Sequence, residues 1–242
     1  MEIIVNALVL KAVDYKDSDK ILTLYSLEKG KITAGIKGVK KSGAKLKFAS
    51  EPFAFCEYVL AEKQGRYTVI GATYIDSFFS LRTDILKYYT SSVVGEALNR
   101  LTVDGESDSA LFSLTINAIK KINYQNEELK NLAEYLIGLS ELTGYKIQKA
   151  ECAGCTFDID GRVFFSTKNA EFYCIDCRPD GAIEITLETF NALKALEGNS
   201  NAEIPLSSTI KLLKFLFYYI EIKTETKLKS ALALIDFVKT IL

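Results

Sequence analysis

The chain has 242 residues, with 30 basic and 31 acidic side chains, a formal net charge of −1 and 48% hydrophobic residues. That balance belongs to a globular chain long enough to bury a sizeable core. Histidine is absent altogether, which excludes Ser-His-Asp triads, Cys-His dyads, histidine general bases and histidine metal ligands together.

No stretch reaches the roughly 18 consecutive apolar residues of a membrane-spanning helix. The segment from Met1 to Lys20 lacks the basic region and small-residue cleavage site of a signal peptide. The expected location is the cytoplasm, where cysteine reads as a thiol or metal ligand rather than half of a disulfide.

The first 76 residues favour period two. The first strand candidate, Ile3 to Leu10, is apolar on both faces. Asp14, Asp17 and Asp19 follow it; such a cluster could bind magnesium in a nuclease, but a solvated turn is the better reading. Ile21 to Tyr25 is a second strand, Glu28-Lys29-Gly30-Lys31 a turn, and Lys31 to Lys37 a third strand. Residues 37–50 form a long glycine-containing loop. Phe53 to Ala61 and Tyr67 to Ile75 complete the set, joined by the polar stretch 62–66. Five strands with one long loop suit a closed barrel, and the OB-fold is the commonest barrel of that count. The expected fold class is therefore α+β, with an OB-fold domain over residues 1–79 and a helical domain over 80–242.

Charge is concentrated on this barrel. Between Glu28 and Glu51 lie Lys29, Lys31, Lys37, Lys40, Lys41, Lys45 and Lys47 and no acid. Residues 1–80 hold 12 bases against 9 acids, whereas residues 81–151 hold 8 against 10 and residues 152–242 hold 10 against 12. Lysines can follow phosphates while aromatic rings stack on bases. The barrel offers Tyr25, Phe48, Phe53, Phe55, Tyr58, Tyr67 and Tyr74, of which alternation should turn about half inward. Lysine is a point charge rather than a bidentate base reader, so binding would tolerate any sequence.

From residue 81 the apolar period becomes 3.6. Leu81, Ile85, Tyr89, Val93, Ala97 and Leu101 mark one helix; Asp108 caps a second and Gly144 stops a third. After Cys152-Ala-Gly-Cys155 and Cys174-Ile-Asp-Cys177 come a helix capped by Thr186, another capped by Ser207, and a last one through Leu228 to Val238.

The cysteines carry the most specific signal. Eighteen residues separate the two CxxC pairs, the spacing of two knuckles that offer zinc four thiolates. Phe157 to Phe165, with Asp160-Gly161 as a type I′ turn, reads as the hairpin returning the second knuckle to the first. A closed four-cysteine site has no open position for substrate, so its role is structural, within an insert at about 150–182. Redox chemistry would need a thioredoxin-like βαβ surround, which is missing. Cys56, alone in a strand, reads as buried packing. No phosphate-binding GxxxxGK[ST] loop and no convincing carboxylate pair is present, and the chain is not expected to be an enzyme.

Several segments carry a resemblance. Tyr15 to Tyr25 is a polar turn leading into a strand; Glu28 to Ser42 has Gly30-Lys31, Lys37-Gly38 and Lys40-Lys41; Glu51-Pro52-Phe53 and Lys229-Ser230 follow. Together with the order barrel, helices, four-cysteine insert, they resemble the bacterial RecO family over essentially the whole chain. Thr156 and Phe172-Tyr173 depart from it, standing where family knuckles often have glycine. The resemblance implies a non-enzymatic DNA repair and recombination mediator, nucleoid-associated, that binds single- and double-stranded DNA and anneals complementary strands. Its implied partners are RecR, the acidic C-terminal tail of single-strand-binding protein, RecA and in some settings RecF. DNA binding would fall on Lys20, Lys31, Lys37, Lys40 and Lys41, with Lys45, Lys47 and Arg66 added from charge alone. The alternative is a zinc-stabilised scaffold for protein partners with an incidental basic loop.

Overall fold

The computed structural model describes residues 1–198 and 202–241. Five strands, β1 (Glu2–Tyr15), β2 (Asp19–Ser26), β3 (Gly30–Ile36), β4 (Phe55–Lys63) and β5 (Arg66–Asp76), close in the ring order β1-β2-β3-β5-β4. Every neighbouring pair is antiparallel except β3 with β5, which run parallel through Ala34↔Tyr67, Gly35↔Thr68 and Ile36↔Val69. This is an OB-fold barrel. Gln64 and Gly65 join β4 to β5 with φ of 52° and 72°, as a two-residue turn of the I′ class requires.

The apolar character of both faces of β1 now has a cause. Val5, Ala7 and Val9 point into the barrel with Leu22, Leu24, Ile32, Ile36, Tyr58 and Leu60. Leu8, Tyr25 and Phe55 are equally buried but on the outer wall, where Phe112 meets Tyr25 at 6.1 Å and Phe55 at 6.0 Å. Helices therefore cover part of the barrel, and contacts gather residues Met1–Asn126 with Ser230–Leu242 into one compact unit.

That unit contains α1 (Ser80–Thr83), α2 (Ile85–Leu101), α3 (Ser109–Tyr124) and α7 (Lys229–Ile241). The single stripe expected from Leu81 onward is broken at Asp84, whose carboxylate accepts the Lys87 amide hydrogen at 3.0 Å and caps α2. Asp108 caps α3 as expected, accepting from Ala110 at 2.8 Å and Leu111 at 3.0 Å. The segment between α2 and α3 lies against the start of β3, where the backbones meet so closely that a Cβ on Gly30 would stand 1.9 Å from the Glu106 carbonyl oxygen.

Residues Glu127–Lys229 form the second unit. It holds α4 (Glu128–Leu142), a sheet in the order β7-β6-β8 built from Glu171–Tyr173, Val163–Ser166 and Ile183–Ile185, then α5 (Leu187–Gly198) and α6 (Leu206–Thr224). Gly144, at φ 85°, ends α4, and the Tyr145 amide donates back to the Ser140 carbonyl at 2.7 Å. Ser207 does not cap α6; Pro205 precedes it with an extended backbone, so Ser207 already sits in the first turn. The sheet packs on the helices through rings: Phe165 lies 4.9 Å from Phe215 and 5.6 Å from Tyr219, and Phe172 lies 5.3 Å from Phe190. Among the described residues no helix is long and apolar enough to cross a membrane.

Gly30 combines φ of 59° with that 1.9 Å approach. A side chain there meets a left-handed penalty of about 1–2 kcal/mol plus displacement of the facing backbone. Gly30→Ala should therefore lower stability by about 2 kcal/mol or more, read as a fall in the urea midpoint at unchanged slope.

Candidate metal centre and nucleic-acid surface

The two CxxC turns converge. The sulfurs of Cys152, Cys155, Cys174 and Cys177 all lie within 4.8 Å of one another. Thiolates about 2.3 Å from a tetrahedral zinc ion stand about 3.8 Å apart, so the cluster is within a small contraction of a closed site. All four donors are thiols, a set that suits a soft or borderline cation. The cluster could hold a metal ion, and Cys152, Cys155, Cys174 and Cys177 are the residues that would hold it.

The returning element differs from the expected one. Residues 157–161 form no strand, and Gly161 lacks the positive φ that a type I′ turn demands. The chain instead reverses between β6 and β7, where Ala170 at φ 59° donates to the Ser166 carbonyl at 2.8 Å. β7 then delivers Cys174, and the Ala153 amide donates to the Phe172 carbonyl at 2.8 Å, stitching the first knuckle to β7. The knuckles are thus built onto the sheet and the aromatic core of their unit, not onto a separate hairpin.

Electrostatics separates the thiols. Burial opposes ionisation of Cys152, but amide hydrogens of Cys174, Cys155 and Gly154 outweigh it and bring the thiol down to about 6. Cys177, sharing hydrogen bonds first with Cys174 and then with the other sulfurs, is pushed up to about 12. One thiolate is stabilised at the expense of its neighbours. Only a cation among the sulfurs lets all four carry charge.

Two residues of the first knuckle were not singled out by spacing. A Cβ on Gly154 would stand 2.6 Å from the Cys177 Cβ and 2.9 Å from its sulfur. Gly154 is thus the gap through which Cys177 reaches the cluster. Thr156 holds φ of 62°, a conformation glycine adopts at little cost and a β-branched residue rarely adopts. The signal for Gly154 was the glycine inside the CxxC turn, and for Thr156 its departure from the glycine that family knuckles often carry there.

On the barrel, the basic segment is not a free arm. Residues between β3 and β4 fold into successive turns and a single 3₁₀ turn (Lys47–Ser50). Val39 and Ala49 are buried in the barrel core, and Leu46 and Phe48 pack against it. The β1–β2 turn braces it from outside. Asp19 accepts the Gly38 amide hydrogen at 2.8 Å, which holds its carboxyl below the usual range. Asp14 accepts from Lys40 at 2.6 Å, with the same consequence for its own carboxyl. Two of the three acids expected in a solvated turn, Asp14 on β1 and Asp19 on β2, are therefore the loop's partners.

This sorts the eight candidate cations. Lys31 is turned inward with 12% of its side chain exposed; it donates to the carbonyls of Asn99 at 2.9 Å and Thr102 at 2.8 Å and pairs with Asp104 at 3.0 Å. It caps the C-terminal end of α2 and is not part of the exposed row of cations. Lys40 is engaged by Asp14. Lys37, Lys41, Lys45 and Lys47 are exposed, and among the described residues none has a carboxylate partner. Lys20, opposite Ile36 on β3, stands half-buried at the loop's base. Arg66 is exposed but precedes Tyr67, the partner of Ala34, which sets it about 13 Å along the strand from Lys37. Of the seven barrel rings, Tyr25, Phe53, Phe55 and Tyr58 are buried, Phe48 and Tyr67 are half-buried, and Tyr74 is 38% exposed.

Because Gly154 faces Cys177, Gly154→Ala should separate the second knuckle from the first. With zinc as the probe ion, chelator competition should show affinity reduced at least about tenfold, the scale of losses when a supporting residue of a metal site is changed. Thr156→Gly should leave that affinity unchanged or raise it.

Two family models match the chain: "Recombination protein O N terminal" over residues 1–78 and "Recombination protein O C terminal" over residues 82–232. Among curated relatives, the DNA repair protein RecO of Clostridium novyi is 32% identical over 209 residues, covering 85% of this chain and 82% of that protein. That of Desulforamulus reducens is 28% identical over 235 residues, covering 93% and 91%. That of Desulfitobacterium hafniense is 30% identical over 178 residues, and the match spans 73% of this chain but 65% of the relative's own length. A barrel with a braced basic loop, a helical unit with a four-cysteine cluster and both family models agree: the chain belongs to the RecO family.

Proposed function

We propose that this chain is a DNA repair and recombination mediator whose barrel loop binds the nucleic-acid backbone. The observation that carries the reading is the row Lys37, Lys41, Lys45 and Lys47, exposed and without carboxylate partners on a loop whose apolar side is buried in the barrel. Joined by Lys20, they give five cations at one end of an OB-fold. Such a surface neutralises phosphates without reading base edges, so binding to single and double strands is tolerant of sequence. Base pairing then remains free to select a complementary strand, and lowered repulsion between two polyanions favours annealing.

The four-cysteine cluster holds one structural zinc ion in this reading. It ties the turns at residues 152–155 and 174–177 to their sheet, and its assembly contributes on the order of 10 kcal/mol to folding. Partners are taken from the family: RecR, RecA, the acidic tail of single-strand-binding protein and in some settings RecF. The chain acts without catalysis, in the cytoplasm at the nucleoid. The inward turn of Lys31 and the engagement of Lys40 keep the scaffold reading as the competing outcome.

A titration of a single-stranded oligonucleotide across salt decides between them. Five phosphate contacts predict a slope near −3.5 in log affinity against log salt, about a hundredfold loss between 50 and 200 mM. Reversal of Lys37, Lys41, Lys45 and Lys47 to Glu should weaken binding and flatten the slope; unchanged binding and slope would leave the scaffold. Asp14→Asn, which releases Lys40, should tighten binding and steepen the slope by about 0.7.

A further inference from the structure

A second group of cations lies in the barrel unit, away from the loop. Where α2 crosses β1 and β2 there is a cleft of about 370 Å³. Gly95 makes the crossing close: its Cβ position is 3.8 Å from the Leu10 carbonyl oxygen. The β1–β2 register shifts between Val9 and Lys11, and such a bulge re-aims the side chains that follow. Lys11, opposite Thr23, lines the cleft, is exposed and has no carboxylate partner among the described residues. Arg100 lines it from α2.

The one acid in the lining, Glu96, pairs with Arg100 and offsets that charge in part, so the cation without a carboxylate partner among the described residues is Lys11. Glu96 accepts the amide hydrogen of Ser230 at 2.7 Å and its hydroxyl at 2.6 Å, and stands 3.7 Å from Arg100. With that carboxylate shared between Ser230 and Arg100, Lys11 and Arg100 leave the lining a net positive charge, beside the polar side chains of Thr23 and Asn99. Tyr88, 41% exposed, contributes a ring. An anion carrying a planar group fits this lining: a phosphodiester with its base.

We propose that this cleft is a binding site for the backbone of a nucleic-acid strand, distinct from the β3–β4 loop, so that one chain holds two strands at once. The inference rests on the loop reading and extends it. Lys11 pairs with Thr23, three residues along β2 from Lys20 at the loop's base, a separation of about 10 Å. Two strands held on one chain are each at a raised effective concentration for the other.

The test counts strands. A fluorescent dT oligonucleotide of about twenty nucleotides is titrated at low salt to saturation of the full chain, and annealing of two complementary oligonucleotides is timed. The intact protein should saturate at two strands per chain. Lys11→Glu with Arg100→Glu should saturate at one and anneal at least about tenfold more slowly. Lys11→Glu alone alters only an exposed strand position and should show the same direction, which keeps the test readable should the Arg100 change disturb α2. Saturation of the intact protein at one strand, or at two strands unaffected by these variants, overturns the cleft. The loop reading is separated by the same count: reversal of Lys37, Lys41, Lys45 and Lys47 should leave one strand per chain, on the cleft, whereas failure of the loop reading leaves saturation as it is in the intact protein.

Discussion

The parallel pairing of β3 with β5 governs much else in the barrel. Three residue pairs, Ala34↔Tyr67, Gly35↔Thr68 and Ile36↔Val69, close the ring. That pairing places β5 between β3 and β4, so the chain leaving Ile36 must cross an end of the barrel before it enters β4 at Phe55. The crossing is therefore long, and it is also a plug. Val39, Ala49 and Ala54 belong to the barrel core, with Leu46 and Phe48 packed against it. Apolar residues of the crossing point inward and its lysines are left outside. The concentration of exposed charge follows from how the ring is closed.

The acids beside that crossing have a complementary role. Asp14 and Asp19 sit at the two ends of the β1–β2 turn, and each holds one point of the crossing, Lys40 and the Gly38 amide. Fixing a cationic segment with carboxylates at its root keeps it ordered while its remaining lysines stay in solvent. Lys31 shows the contrary arrangement. One strand earlier in the chain, the same side chain is folded inward and serves a helix end. Identical residue types in one acid-free window thus divide into structural and surface groups according to the element beneath them.

Much of this was legible in the residues themselves. Period two located four of the five strands within two positions, while β1 runs five residues beyond Leu10, and the paired CxxC turns located the sulfur cluster. Three things were not legible. The stripe from Leu81 onward carries no mark of Asp84 as a cap rather than a helix residue, since its side chain decides the matter by reaching the Lys87 amide. Asp160-Gly161 has the composition of a hairpin turn, but β6 is buried along its whole length and pairs across Thr167–Ala170 instead. Nor does an apolar stripe say what it faces: Phe112 covers the barrel through Tyr25 and Phe55, whereas Phe215 covers a sheet through Phe165.

The membership of α7 in the barrel's unit has a bearing on biosynthesis. Tyr89 meets Phe237 at 5.4 Å, and Glu96 receives both hydrogens of Ser230. The partners of α2 therefore leave the ribosome roughly a hundred residues after α3 is complete. Domains generally fold as units during synthesis, N-terminal first. Here the interrupted first unit must wait, with part of α2 uncovered, while the continuous second unit is translated and can fold ahead of it.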